Sequence, residues 1–278
     1  MPSAKVGTKF GTELTVLGVI DRDRKRPVYM TWHQGFGCPV ACKVFKAAEA
    51  ANREAEILSR VAHPYIVRSF GVHATRHLVL EYLEGPTLSR LMESKPRGRL
   101  SLPDALRVAL HLIFALTHVH ARGLIHMDVK PTNVIVARGR PILIDFGTAR
   151  FADAERPEHL HGTEPYMAPE ECLGLPVTAA ADVFGWGITL YEMLTGQHPF
   201  PSGTKKNEYP QTNSASRPMR GYRRGLPDAL DRILLSCLAV DPGDRPDLQT
   251  LAAPLNDLIA NGPRMWPKEF RLPNGVGR

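Results

Sequence analysis

The densest chemistry in this chain lies in eight consecutive residues, His126-Met127-Asp128-Val129-Lys130-Pro131-Thr132-Asn133. A carboxylate, an amine and an amide stand within six positions, after a long apolar helical pattern and before a β-branched run. Twelve residues beyond Asn133 comes Asp145-Phe146-Gly147, at the end of another short apolar run. Two such run ends placed side by side would bring Asp128, Asn133 and Asp145 to one cleft. One carboxylate with the Asn133 amide oxygen forms a hard-oxygen donor set of the kind magnesium takes. The second carboxylate is then free to orient a hydroxyl. These are the parts phosphoryl transfer requires, because positioning and charge neutralisation supply most of its catalysis. Either motif alone occurs by chance in loops. Both together, each following a strand or helix, form a much more specific signal.

The elements that would carry these residues fall into two groups. Leu14–Ile20, Pro27–Trp32 and Val40–Phe45 read as strands, with Gly35 and Gly37 as a turn between the last two. From Ala47 to Val61 the apolar period changes, with Ala51, Ala55, Leu58 and Val61 on one helical face. Ile66–Val72 and Leu78–Tyr82 return to strand, and Gly85-Pro86 breaks the pattern, with a hinge expected over Glu81–Gly85. Beyond it helices dominate. Ser101, Pro103 and Asp104 form a helix start, and Leu106, Leu110, Ile113, Leu116 and Val119 a stripe that Gly123 ends. Asn133–Ala137 and Ile142–Ile144 are short strands, Ala180–Leu194 a buried helix, and Leu226–Val240 and Leu248–Ile259 amphipathic helices.

These motifs resemble the protein kinase family, and the resemblance runs from about Leu14 to Ile259. It implies an α+β, bilobal protein kinase-like fold: a small β-rich N-lobe over 1–84, a larger α-helical C-lobe over 85–262, and a tail over 263–278. Val40-Ala41-Cys42-Lys43 is similar to the family's strand whose lysine grips the nucleotide phosphates, and Glu54 stands where its ion-pair partner belongs. Gly162 to Glu170 (GTEPYMAPE) resembles the substrate-docking segment, Asp182 the buried helix aspartate that holds the catalytic loop, and Arg245 the arginine that pairs with Glu170.

By this resemblance Asp128 orients the substrate hydroxyl, Lys130 neutralises the transferring group, and Asn133 and Asp145 bind magnesium. Lys43, fixed by Glu54, holds the ATP phosphates. Val28, Ala41 and Ile135 sandwich the adenine, Leu80 closes its back wall, and the backbone of Glu81 and Leu83 bonds its edge. Thr163 docks against Asp128 and Lys130. Lys130 and the docking segment imply a serine/threonine protein substrate. The implied activity is an ATP-dependent serine/threonine protein kinase, with a catalytically weak pseudokinase acting as a binding module as the alternative.

Composition sets the outer bounds. The chain has 278 residues, 43% of them hydrophobic, which excludes a wholly disordered polypeptide. Its net charge of +7 suits a soluble surface or a phosphate-bearing or acidic partner equally well. Cys38, Cys42, Cys172 and Cys237 form no CxxC pair, so reduced cytoplasmic thiols are expected. No secretory signal is expected in the first twenty residues, and no window of 18 residues is free of charges and turn residues, so no membrane span is expected. No zinc pattern or aromatic interleaving points to nucleic acid. The basic loop over 201–225 reads as a solvated surface that leaves room for an acidic partner, and a regulatory partner over the tail stays open.

Two departures from the family matter. The glycine-rich loop is missing: counting back fifteen residues from Lys43 reaches Val28, and the three glycine positions then fall on Asp21, Asp23 and Arg26. Glycine lets backbone N–H groups approach phosphates closely, so side chains at these positions hinder that approach, and Pro27 removes a donor. The cations Arg22, Arg24 and Lys25 are candidates to replace it. The second departure is Met127, where the family often has the arginine that answers a phosphorylated activation loop; consistently, Ala149–Gly162 contains no Ser, Thr or Tyr. Replacing Arg22, Arg24 and Lys25 together with alanine is expected to raise the KM for ATP. Steady-state kinetics check this, and an unchanged KM removes these cations from nucleotide binding.

Overall fold

A computed structural model describes residues 4–23, 26–153, 163–205 and 207–260. Arg24, Lys25, Lys206, the middle of the activation stretch and the tail over 263–278 therefore lie outside the described residues. The chain divides between Glu84 and Gly85 into two compact units.

The first unit is a sheet with one helix. Its strands are β1 (Lys9–Phe10), β2 (Leu14–Asp21), β3 (Val28–His33) and β4 (Cys38–Val44), then, after helix α1 (Ala48–Arg60), β5 (Ser69–His73) and β6 (His77–Glu81). They pair antiparallel in the order β1-β2-β3-β4-β6-β5. Alternation drives the packing: Leu14 and Val16 of β2, Tyr29 of β3, Val40, Cys42 and Val44 of β4 and Val79 of β6 form one buried cluster. The register sets Val28 opposite Lys43 and Ala41 opposite Leu80. The buried face of α1 carries Ala51, Glu54, Ile57 and Leu58. Ala55, expected on that face, is only half-buried, because the face turns to bring Glu54 inward. The fifth strand begins at Ser69 rather than Ile66, and the two-residue β1 is too short to carry a readable period.

The second unit is mainly helical. It holds α2 (Leu88–Glu93), α3 (Leu102–His120), β7 (Leu124–Ile125), β8 (Val134–Ala137), β9 (Arg140–Leu143), β10 (Arg150–Phe151), α4 (Pro169–Leu173), α5 (Ala180–Thr195), α6 (Asp228–Cys237) and α7 (Leu248–Ala260). The Ser101 hydroxyl accepts the Asp104 N–H and caps α3, as the Ser-x-x-Asp spacing predicts. By length and apolarity α3 alone among the described helices could cross a membrane. Here Leu106, Leu112, Ile113, Leu116 and Val119 are buried, whereas Leu110, expected on the same stripe, is half-buried and Phe114 is exposed. α3 packs against α5 and α7. Trp186 Nε1 of α5 donates to Ala109 O of α3 at 3.0 Å, which satisfies a fully buried indole. Gly185 lets α5 approach the catalytic segment: a Cβ there would sit 2.9 Å from Val129 O.

Two buried carboxylates in α4 are satisfied differently. Arg245 donates to both Glu170 oxygens at 2.7 Å, in a fork whose partners are each less than a tenth exposed. Removing one partner of such a pair typically costs about 3–5 kcal/mol. Its neighbour Glu171 accepts only the Ala168 N–H, at 2.7 Å, through Oε2, while Oε1 is buried without a partner. Burial pushes the Glu171 carboxyl up to about 8, the Ala168 bond opposes this, and the charges of Asp182, Glu170 and Asp128 add to it. The folded chain therefore holds this proton more tightly than the unfolded chain does. Its contribution to stability is complete below the ordinary glutamate range and is lost as pH rises toward 8. Glu171→Gln is expected to raise the melting temperature at pH 8 to 9 and to leave it nearly unchanged at pH 5. Thermal denaturation across this pH range is the check; equal shifts at both ends contradict a protonated Glu171.

Candidate active site

The second unit gathers Asp128, Lys130, Asn133, Asp145 and Thr163, and α5 supplies the anchor. Asp182 is fully buried, at 1% exposure. Its Oδ2 accepts the His126 N–H at 2.8 Å and lies 2.8 Å from His120 Nε2, and its Oδ1 accepts the Met127 N–H at 2.9 Å. Burial alone would raise the Asp182 carboxyl. The hydrogen bond and charge of His120, with the backbone donor of His126, outweigh it and hold the group below the ordinary carboxylate range. These bonds keep Met127 at φ +69°, a left-handed conformation that a non-glycine side chain adopts only when its surroundings impose it. Nothing in the sequence singles out His120 for this role, because it depends on a contact 62 residues away that spacing does not reveal.

His126 fixes the next residue. Its Nδ1 accepts the Asp128 N–H at 3.3 Å, so Nε2 carries the proton and donates to Ile144 O at 3.3 Å. Its ring meets Phe146 edge-on, with centroids 4.7 Å apart. Asp128 is then held on every side. Thr163 Oγ1 donates to its Oδ1 at 2.9 Å; Lys130 Nζ at 2.6 Å and Asn133 Nδ2 at 2.8 Å donate to its Oδ2. Lys130 Nζ also donates to Thr163 Oγ1, and Asn133 Nδ2 to Asp128 O at 2.9 Å. Thr163 thus sits on the carboxylate and the amine together.

The β8–β9 hairpin explains why Asn133 and Asp145 meet. Val134 pairs with Leu143, so the residues just outside the hairpin, Asn133 and Ile144, are neighbours. Ile144 N–H donates to Asn133 O at 2.9 Å and delivers Asp145 beside the asparagine. Asp145 stands at φ +59°, and its Oδ1 accepts the Gly147 N–H at 3.2 Å. The Asn133 amide nitrogen is spent on Asp128, which leaves its carbonyl oxygen as the donor atom for a metal. With the Asp145 carboxylate this is an all-oxygen set that fits magnesium.

In the first unit Lys43 Nζ donates to Glu54 Oε1 at 2.7 Å and Oε2 at 2.8 Å, and both side chains are nearly inaccessible. Val28, Ala41, Glu81 and Leu83 are half-buried and Leu80 is 9% exposed. Glu81 N–H bonds Arg68 O at 3.0 Å. Ile135 belongs to β8 of the second unit, half-buried and bridged to Thr87.

Beside Thr163 lies a groove lined by Glu164, Tyr166, Glu192, His198, Phe200 and Gln211 among others, enclosing about 780 Å³. The Tyr166 hydroxyl donates to Glu192 at 2.7 Å, and burial raises Glu192 to about 7 despite that bond. Part of the loop read as solvated is structural. Gln211 is 3% exposed and donates to Glu164 O and Met167 O, and Arg223 donates to Leu100 O and Leu194 O. A polar loop composition cannot distinguish side chains facing water from those that bond backbone carbonyls.

Comparison with known proteins gives the same picture. Residues 26–254 match the family model for the protein kinase domain. The serine/threonine-protein kinase PkaA of Streptomyces coelicolor is 36% identical over 244 residues, which are 81% of this chain and 44% of that protein. Pkn1 of Myxococcus xanthus is 31% identical over 261 residues (86% and 37%), and PknB of Mycobacterium tuberculosis 31% over 242 (79% and 38%). The chain thus spans less than half the length of these relatives. The crystal structure of the Mycobacterium tuberculosis PknI kinase domain, in a cysteine-to-alanine variant, superposes with a TM-score of 0.73 at 25% identity, covering 93% of this chain and all of that one. With its sheet-bearing first unit, its helical second unit and this family match, the chain belongs to the protein kinase family and has the bilobal protein kinase fold.

Proposed function

We propose that this chain is an active serine/threonine protein kinase that transfers the γ-phosphoryl group of ATP to a hydroxyl on a polypeptide. The observation that carries the reading is the Asp128–Lys130–Asn133–Thr163 network, in which one carboxylate is positioned by three donors. Asp128 orients the incoming hydroxyl and draws off its proton. Thr163 marks where that hydroxyl arrives, since its own Oγ1 already bonds both Asp128 and Lys130. Lys130 offsets negative charge on the transferring group.

Asn133 and Asp145 would hold magnesium, which when bound neutralises the charge of the phosphates. Lys43, kept extended by Glu54, takes the nucleotide phosphates. Val28, Ala41 and Leu80 of the first unit supply apolar contacts to the adenine. Glu81 and Leu83 bond its edge through the backbone, Glu81 by its carbonyl because its N–H is taken by Arg68. The groove beside Thr163 accommodates the polypeptide on either side of the hydroxyl. Four free thiols, Cys38, Cys42, Cys172 and Cys237, support a reducing, cytoplasmic setting.

The pseudokinase reading draws on the side chains at Asp21, Asp23 and Arg26, where the family places glycines, and one variant separates the two. Asp128→Asn is expected to lower kcat by about 10²-fold or more, the usual weight of a positioned base, while the ATP- and magnesium-dependent rise in melting temperature persists. Full turnover in this variant, measured on a peptide mixture, would rule out Asp128 as the base. An absence of turnover in the parent chain would leave the binding module. Met127 spends its backbone N–H on Asp182 and has no guanidinium to offer a phosphate. Phosphatase treatment of the purified chain is therefore expected to leave activity unchanged. A large loss traced by mass spectrometry to this loop would contradict that.

A further inference from the structure

Among residues that the catalytic and nucleotide assignments do not use, the first unit brings two histidines and a glutamate together. Glu13 lies in the turn before β2, His33 ends β3 and His73 ends β5. The pairing of Leu14 with His33, and Gln34 N–H to Glu13 O at 2.9 Å, place the first two side by side. His73 arrives by another route. Three strands separate β2 from β5 in the sheet order, so contact between Glu13 and His73 requires the sheet to curl back on itself. Phe10 of β1 against His77 of β6, with ring centroids 4.6 Å apart, marks the same closure.

The three ligand atoms lie within 4.8 Å of one another. Glu13 Oε2 is 3.2 Å from His73 Nδ1 and 3.9 Å from His33 Nε2. His33 is 2% exposed, and its Nε2 is buried with no hydrogen-bond partner. The Phe36 ring stacks on the imidazole at 3.8 Å and Phe70 packs against Phe36 at 5.1 Å, so an apolar wall backs the cluster on one side. Glu13 is half exposed and His73 a quarter exposed, so the opposite side is open to solvent.

We propose that Glu13, His33 and His73 form a zinc site, with Glu13 Oε2, His33 Nε2 and His73 Nδ1 as its three ligands. Zinc–nitrogen and zinc–oxygen bonds of about 2.0–2.2 Å place tetrahedral ligands roughly 3.3–3.5 Å apart, which these atoms reach with shifts of at most about 1.4 Å, available to the solvent-accessible Glu13 and His73. Two imidazoles and a carboxylate match zinc better than magnesium or calcium, which prefer all-oxygen sets. The fourth position is left for water. Ligation gives the buried His33 nitrogen the partner it otherwise lacks.

It also shifts the proton of the neutral His33 ring from Nε2 to Nδ1, with no net release. The Phe36 N–H bond to Nδ1, already long at 3.3 Å, is therefore given up. Zinc would fasten the ends of three chain segments and stiffen the closed end of the sheet.

The test is zinc titration of the chelator-stripped full chain in competition with a chromogenic chelator, with the melting temperature and the Phe36 amide resonance read in parallel. One zinc per chain is expected, unaffected by millimolar magnesium, with a raised melting temperature and a shifted Phe36 amide. His73→Ala and Glu13→Gln, both at solvent-accessible positions, should each weaken binding by about tenfold or more and abolish both accompanying changes. Binding well below one equivalent, or equal affinity in either variant, overturns the site.

Discussion

The catalytic segment of this protein depends on one buried carboxylate. Asp182 is removed from water and then supplied with three donors, two of them consecutive backbone N–H groups of the loop it holds. A charge in that position is tolerable only while all its bonds are made. The loop therefore cannot relax without uncovering it, and the left-handed turn at Met127 persists for the same reason. From there the order passes along the backbone: His126 fixes Asp128, and Asp128 collects Lys130, Asn133 and Thr163. The glycine at position 185 permits this arrangement, because a larger residue would hold α5 away from Val129.

A second buried network works independently of the first. The Arg245–Glu170 fork joins the start of α4 to the segment ahead of α7, and Arg245 also donates to Ala180 O at the start of α5. Its guanidinium lies over the Phe184 ring, 5.0 Å from the centroid. The stretch from Thr163 to Glu170 is thus clamped at its far end by a charge pair and at its near end by Thr163. Between these two fixed points Glu171 is the weak member, with one oxygen unpartnered. Two adjacent carboxylates of one short helix therefore differ in character: Glu170 is bonded at both oxygens, whereas burial raises the Glu171 carboxyl.

Much of this was legible in the residues, and the limits have physical causes. The spacing from Asp128 through Asn133 to Asp145 is local. A tight turn and a hairpin enforce it, so the sequence pattern and the geometry coincide. Lys43 and Glu54 were legible through the family resemblance and not through periodicity, since the helical period put Ala55 rather than Glu54 on the inward face. His120, Gln211, Arg223 and the Glu13–His33–His73 cluster were not. Each depends on side chains brought together by closure of the sheet or by packing of distant helices, and composition carries no record of such meetings. The short strands β1, β7 and β10 and helix α2 escaped for a simpler reason: elements of two to six residues are too brief to display a period.

The β8–β9 hairpin has a consequence for tolerance to change. Asn133 and Asp145 flank its open end, fastened across by the Ile144–Asn133 bond, while its far end turns through Arg138 and Gly139, both at positive φ. The pair of oxygen donors is therefore a single rigid tip, spaced by two ladder strands rather than by the stretch of chain that separates them in sequence. The turn at the other end could lengthen, shorten or change composition across related chains while the gap between the two donors stayed constant.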